Sequence, residues 1–383
     1  MSLRSLTPKQ VTTMLLAKKE QLGISRIADL GPFTTLDVRV VQAVRVTLVK
    51  GQVSATTGKG WNLRDAICGA LGEASERYCA AHMTAPDLCI VKSLPMAELS
   101  RWGHDVSFTP RDICVADELL SNDRYLVPAI EVCFPYHGVD LQHTRIRPHT
   151  SGLAGGATLD EATLFGLIEV IERHASSAFF EACKSIGTGT IIDLNSEFSP
   201  RVAATIHNLR DNGYECLLFR IDALLPVYYV AILDASNLGP KFMVGGVAAH
   251  LNETDALESA LLESMQGVVI AAQGAREDLV RFDRSYRAQS SGSENPFYRI
   301  RTMLERRNPT RRFESLASIS MPLTAQDALR QLLDQLRSSG LDEAYRCDLS
   351  QPDMPLKVAK VIVPGLFDSR VNPSRKSHAP ATA

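Results

Sequence analysis

The sequence predicts a mixed α/β fold made of repeated strand, glycine turn and helix units that converge on one polar site. Three observations predict it. Short runs rich in β-branched residues alternate with longer stretches of helical periodicity along the 383 residues. An apolar fraction of 45% and a charged fraction of 22% describe a globular chain with ample material for a core. One helix pattern recurs three times in register: Ala66, Glu73 and Glu76 in GKGWNLRDAICGALGEASERY; Ala162, Glu169 and Glu172 in GLAGGATLDEATLFGLIEVIERH; and Ala256, Glu263 and Gln266 in GVAAHLNETDALESALLESMQG. An Ala seven residues before a Glu, with a second carboxylate or amide three after it, puts the polar groups on one helical stripe.

The amino-terminal stretch breaks its short apolar run at Lys18 and Lys19 and reads as an amphipathic helix rather than a signal peptide. Val38–Val49 reads as a strand, and Gly58-Lys59-Gly60 then leads into a helix over Leu63–Ala81. Leu126–Phe134 reads as a strand. Leu159–Lys184 is a helix apolar on most sides, which implies burial. Cys216–Ala235 is the most apolar stretch, but Arg220, Asp222, Pro226 and Asp234 interrupt it, so it reads as a carrier of the strand Val227–Leu233 and not as a membrane span. The strand Phe242–Val247 precedes the third motif helix, Thr254–Gln273. Asp283–Pro296 is polar and turn-rich, a loop with two readings: a solvated connection or a lid over substrate. The helix Ala325–Ser338 and the strand Leu356–Val363 follow, and the chain from Asp368 reads as polar and frayed. Each motif helix follows a Gly-rich or strand-like segment, so its first turn faces a place suited to an anion.

An isolated E-x-x-E-R is a structural ion-pair cluster neutralised by Arg77 or Arg173. Three copies in register on apolar helices ask for more. Buried carboxylates are costly unless paired or bound to a cation, and Mg2+ prefers hard oxygen ligands shared with phosphates. The pattern therefore points to a metal-nucleotide site. Lys59 between two glycines is either a solvated turn lysine or a phosphate contact; no Walker A string occurs. The eight cysteines, at 68, 79, 89, 114, 133, 183, 216 and 347, form no C-x-x-C pair and read as free thiols of a reducing compartment, with Cys68 and Cys79 buried in a helix. His174 is a proton shuttle or a structural residue packed beside Phe179 and Phe180. His137, His143 and His149 suit extended chain better than a zinc face. A net charge of −2 supplies no basic field for nucleic acid. Without a secretory or membrane segment, the cytoplasm is the expected location.

The ordered set GKG…EASER, TSGLAGGATLDEA…EVIERHA, ALLESMQ…QGAREDL and VAKVIVPGL resembles the YcaO family over about Ile24 to Leu366. The opening GISRIADL with VVQAVRV is most similar to the subgroup encoded beside TfuA proteins. The resemblance implies one catalytic unit over 1–383: an N-terminal helix and strand in 1–50, a motif-bearing ATP-binding core in 51–366 and a flexible tail in 367–383. It implies ATP-dependent activation of a peptide backbone amide, in which a nucleophile adds to the carbonyl and the resulting oxyanion is phosphorylated and expelled, giving an azoline, a thioamide or an amidine. Carried over by position, the Mg-ATP ligands fall on Glu73, Glu76, Glu169, Glu172, Glu263 and Gln266, with the five glutamates on metal. Lys59, Ser151, Arg173 and Arg276 stand at the nucleotide, and Arg276 in GAREDL matches the phosphate-contacting arginine. Arg276, Glu263 and Gln266 are the expected catalytic group.

Two positions depart from the family. Thr150-Ser151-Gly152 stands where a TNG-like string is common, which leaves a Ser oxygen in place of the amide. The chain ends in SHAPATA, with one proline in its last seven residues, where azoline-forming members often carry a proline-rich tail. The expected partners are a precursor peptide and a separate leader-binding or TfuA-like protein, with homo-oligomerisation open. A nucleotide-binding scaffold without chemistry is the alternative. A carboxylate-bridged redox metal site lacks its E-x-x-H pairing in all three helices.

Overall fold

In the computed structural model, three sheets and three long helices alternate around a closed ring. The structure describes residues 3–47, 53–83, 93–97, 112–136, 147–182, 189–234, 243–274, 301–302, 304–306, 308–316, 322 and 324–369, and every structural statement concerns these. A capping box opens α1 (Pro8–Leu16): Thr7 accepts from the Gln10 N–H and the Gln10 side chain accepts in return from the Thr7 N–H. Strands β1 (Ile24–Asp29), β2 (Arg39–Val46) and β3 (Val53–Gly60) form the first sheet, antiparallel and in that order. Gly58-Lys59-Gly60 is therefore the end of a strand and not a turn. It leads into α2 (Leu63–Ala81), whose bounds are those expected.

The stretch expected as a single strand at Leu126–Phe134 is divided. After β4 (Ile113–Glu118), β5 (Arg124–Pro128) ends at Pro128, which lacks an N–H for the ladder and instead opens the helical turn α3 (Ala129–Val132) with a φ of −63°. The chain continues as β6 (Leu153–Gly156), α4 (Leu159–Ala182), β7 (Gly189–Ile192), α5 (Pro200–Asp211), β8 (Tyr214–Ile221) and β9 (Val227–Asp234). The most apolar stretch is thus most of a hairpin, paired from Tyr214 with Asp234 to Ile221 with Val227. β10 (Met243–Ala249), α6 (Glu253–Gln273), β11 (Thr310–Arg311), α7 (Ala325–Ser338), β12 (Tyr345–Asp348) and β13 (Lys357–Ile362) complete the order. The second sheet runs β5-β4-β12-β13-β6 and the third β10-β9-β8-β7-β11.

Each motif helix packs on the strand before it and touches the next sheet around the ring. α2 lies on β2 and β3 and reaches β6; α4 lies on β6 and β13 and reaches β10; α6 lies on β9 and β10 and reaches β3. The recurrent Ala follows from how closely strand and helix approach. A Cβ added at Gly58 would lie 1.9 Å from the Ala66 carbonyl oxygen, and one at Gly156 would lie 2.6 Å from the Ala162 nitrogen. In the third repeat the tight contacts fall one and two turns later, 2.6 Å from a Cβ added at Gly246 to the Ala260 carbonyl oxygen and 2.5 Å to the Ser264 nitrogen. Ala66, Ala162 and Ala256 are all fully buried. Leu164, Leu167, Ile168 and Ile171 seat α4 between the second and third sheets, each contributing about 1.5–3 kcal/mol by removing apolar surface from water. The chain is held through Ser369: the Phe367 N–H donates to His174 Nδ1 at 3.3 Å and the Ser369 N–H to Ser177 Oγ at 2.9 Å. Fraying does not begin at Asp368. No helix among the described residues is long and apolar enough to cross a membrane.

Candidate functional site

The motif residues meet where the three helices face one another. Register begins at the caps: Asn62, Thr158 and Asn252 accept from the N–H groups of Asp65, Glu161 and Asp255 at 3.0, 3.1 and 2.7 Å. Each cap holds the first turn against its strand, so the Glu two turns later turns back toward that strand. Glu73 Oε2 accepts from the Thr57 N–H on β3 at 3.0 Å and Glu169 Oε2 from the Gly152 N–H beside β6 at 3.2 Å, while a Val247 N–H of β10 lies on Glu263. The second polar group of each helix instead crosses to the next strand. Glu76 Oε1 accepts from the Gly155 N–H on β6 at 2.7 Å, Glu172 Oε2 from the Ala249 N–H on β10 at 3.1 Å, and Gln266 Nε2 donates to the Thr57 carbonyl on β3 at 3.3 Å. These three bonds close the ring. The third position is an amide because the Thr57 N–H already serves Glu73, leaving a carbonyl that needs a donor.

Three cations stand among the five carboxylates. Arg77 pairs with Glu73 at 2.5 Å, and Arg173 with Glu169 at 3.2 Å and Glu172 at 3.4 Å. Gly267 stands where the third repeat would carry its arginine, and Lys59 supplies the charge from β3, 2.9 Å from Glu263. Burial pushes the Glu76 carboxyl up to about 7, with Glu73 adding to it. Burial also drives Glu172 up to about 8; Arg173 opposes this, while Glu263 and Glu169 reinforce it. Glu263 moves the other way: burial raises it, but Lys59 and Arg173 outweigh burial and hold it below its ordinary value. Two carboxyls thus carry protons near neutral pH that a bound cation would displace. Among the described residues no three acidic, His or Cys side chains sit close enough to grip a single ion. The carboxylates are spread around the ring rather than crowded on one point. That donor set of separated hard oxygens fits Mg2+ held by one or two carboxylates and completed by phosphate oxygens.

A family model described as YcaO cyclodehydratase, ATP- and Mg2+-binding, matches residues 57–367. The chain belongs to the YcaO family. An uncharacterized protein of Methanothermobacter thermautotrophicus is 30% identical over 367 residues, covering 94% of this chain and 93% of its relative. A protein of Rhizobium leguminosarum bv. trifolii, described as uncharacterized and in the tfuA 3' region, is 24% identical over 391 residues and covers 95% and 88%. The solved structure of YcaO from Methanopyrus kandleri bound with AMPPCP and Mg2+ aligns with a TM-score of 0.77 at 20% identity, covering 98% of this chain and 96% of that one. A heterocyclase in complex with substrate and cofactor aligns at 0.73 and 17% identity, covering 95% of this chain and 53% of that one. At these identities the two structures show a shared fold. ATP and Mg2+ are the ligands of the family, and this YcaO protein is an ATP-dependent enzyme.

Of the expected site residues, Lys59, Glu73, Glu76, Glu169, Glu172, Arg173, Glu263 and Gln266 come together in the ring. Ser151 lies at its edge, with Oγ donating to Asp368 Oδ2 at 2.7 Å in the turn whose Gly152 serves Glu169. Arg276 and the Asp283–Pro296 loop lie outside the described residues, as do Cys89, Cys183, His137 and His143. His174 packs on the C-terminal segment: it stacks edge-on with Phe367 at 5.1 Å, and burial holds its ring down to about 4. Cys79 is buried and free, whereas Cys68 is half-buried. Sequence reasoning named His149 without giving it a role and missed Glu131 and Lys360; the three lie behind the Ser151 turn. A lysine amid the β-branched run VAKVIV was the available signal.

Proposed function

We propose that this YcaO protein uses Mg-ATP to modify backbone amides of a ribosomally made peptide. The observation that carries the reading is the closed ring of cross-strand bonds from Glu76, Glu172 and Gln266, which holds carboxylates from three helices apart, as phosphate-bridged ions require. Glu73, Glu76, Glu169, Glu172 and Glu263 would hold metal. Lys59, Ser151, Arg173 and Arg276 would meet the phosphates, with Arg276, Glu263 and Gln266 nearest the transferred group. Bound Mg2+ would neutralise charge on the triphosphate. The nucleophile adds to the amide carbonyl carbon, the resulting oxyanion takes the γ-phosphoryl group of ATP with release of ADP, and the C–O bond then breaks to release phosphate. Residues 1–383 act as one catalytic unit in the cytoplasm, where ATP is supplied.

Between a thioamide and an azoline, exchange of oxygen for sulfur fits better than ring closure. A relative matched over 95% of this chain is described by its place in a tfuA 3' region. A separate TfuA-like partner would then deliver sulfur or recruit the peptide. Mass spectrometry of candidate precursor peptides incubated with this protein, the partner, a sulfide source and Mg-ATP tests the reading. Replacement of one oxygen by sulfur is expected. Loss of one water would assign cyclodehydration instead, and modification that persists with the Glu172→Gln variant would remove the chemistry from this site.

A further inference from the structure

Lys360, in the middle of β13, is fully buried. An ammonium in that position costs several kcal/mol unless its protons are held. Its Nζ donates to the His149 carbonyl oxygen at 2.9 Å and lies 3.3 Å from His149 Nδ1. Nε2 of the same ring lies 2.9 Å from Glu131 Oε2, beside β5 on α3. An ammonium can only donate, so Nδ1 accepts, Nε2 carries the ring proton and Glu131 receives it. The chain Lys360, His149, Glu131 therefore fixes both the ring and the main chain of His149.

The next three residues make the turn at the edge of the nucleotide site. The Thr150 carbonyl accepts from the Leu153 N–H at 2.9 Å, and the Gly152 carbonyl accepts from the N–H of Val361, the neighbour of Lys360, at 2.8 Å. Gly152 adopts a φ of +80°, and a Cβ there would lie 2.2 Å from the Val361 carbonyl oxygen. Its N–H then points to Glu169, and Ser151 projects to Asp368.

We propose that Lys360, His149 and Glu131 form a buried clamp that positions the Thr150–Gly152 turn, and through it Glu169 and Ser151, for Mg-ATP; this rests on the functional reading above. An apolar residue would fill the space beside Cys347 and Cys133 with less desolvation cost, so the charged chain has a positioning role. Burial holds the Lys360 ammonium down to about 8 and lowers His149, with Lys360 as the next cause, in keeping with the neutral ring that the geometry requires.

The test compares the full chain with its Lys360→Met and Glu131→Gln variants by amide hydrogen exchange at Ser151 and Gly152 without nucleotide, and by calorimetric Mg-ATP affinity. Lys360→Met is expected to speed exchange at the turn and weaken Mg-ATP at least about tenfold, as usual for groups that orient metal ligands. Glu131→Gln, which keeps an acceptor for Nε2–H, loses less. Adding Lys360→Met to Glu169→Gln is expected to cost little further affinity, because both act through one turn. Unchanged exchange, unchanged affinity in a folded Lys360→Met protein, or full additivity would overturn the clamp. Should Lys360→Met fail to fold, His149→Gln replaces it with the same expectations. If the wild type bound no Mg-ATP, the functional reading would fail; faster exchange at the turn would still support the clamp, and unchanged exchange would still overturn it.

Discussion

Glu76 and Glu172 set the behaviour of this protein at the scale of single residues. Their carboxyls stand at about 7 and about 8 in the folded chain, against about 4.3 for an unfolded glutamate. The folded state therefore binds more protons between those values, and its stability falls as pH rises through about 4.3 to 8. Thermal unfolding of metal-free protein should show this decline, and Glu172→Gln should flatten it. Cation binding must displace the same protons, so Mg-ATP affinity should rise between about pH 6 and 8, measurable as proton release by calorimetry in buffers of different ionisation enthalpy. Gly58 sets a second limit. A methyl there meets the Ala66 carbonyl at 1.9 Å, so Gly58→Ala should cost about 1–3 kcal/mol or more in denaturant unfolding. The Ala, Glu and Glu or Gln spacing was legible in the sequence because these residues are pinned by strand contact below and by main-chain N–H groups or a carbonyl above.

Helices were the most legible elements. Leu63–Ala81 and Ala325–Ser338 have the expected bounds, since caps at Asn62 and Thr324 coincide with the start of a clear 3.6-residue period. Asn62→Ala and Asn252→Ala should each cost about 1 kcal/mol, read from thermal or denaturant unfolding. Strands were less legible for identifiable reasons. β6 and β7, Leu153–Gly156 and Gly189–Ile192, are four-residue strands buried at every position, so neither shows alternation. β3 carries Gly58 and Gly60, which read as a turn until the helix packed against them supplies the reason for having no side chain. Leu126–Phe134 looked uniform because β-branched residues continue past Pro128, where the ladder ends.

At the scale of the molecule, the convergence of three helices was visible in their shared register, but the cyclic order was not. Glu76, Glu172 and Gln266 bond to the strand of the following repeat, a relation between sheets that no local pattern encodes. The link between His149, Glu131 and Lys360 escaped for the same reason: it joins separate segments. The ring also explains why the last repeat ends in Gln. Gln266→Glu would set a carboxylate against the Thr57 carbonyl and should weaken Mg-ATP binding, most strongly above neutral pH where the new carboxyl ionises; calorimetry at two pH values would show it. The central claim is that the ring is a magnesium-dependent ATP site. Calorimetric titration of ATP into the wild type and the Glu172→Gln variant, with and without Mg2+, addresses it most directly. The account predicts binding that requires Mg2+ and that Glu172→Gln loses by about tenfold or more; ATP binding indifferent to both Mg2+ and Glu172→Gln would contradict it.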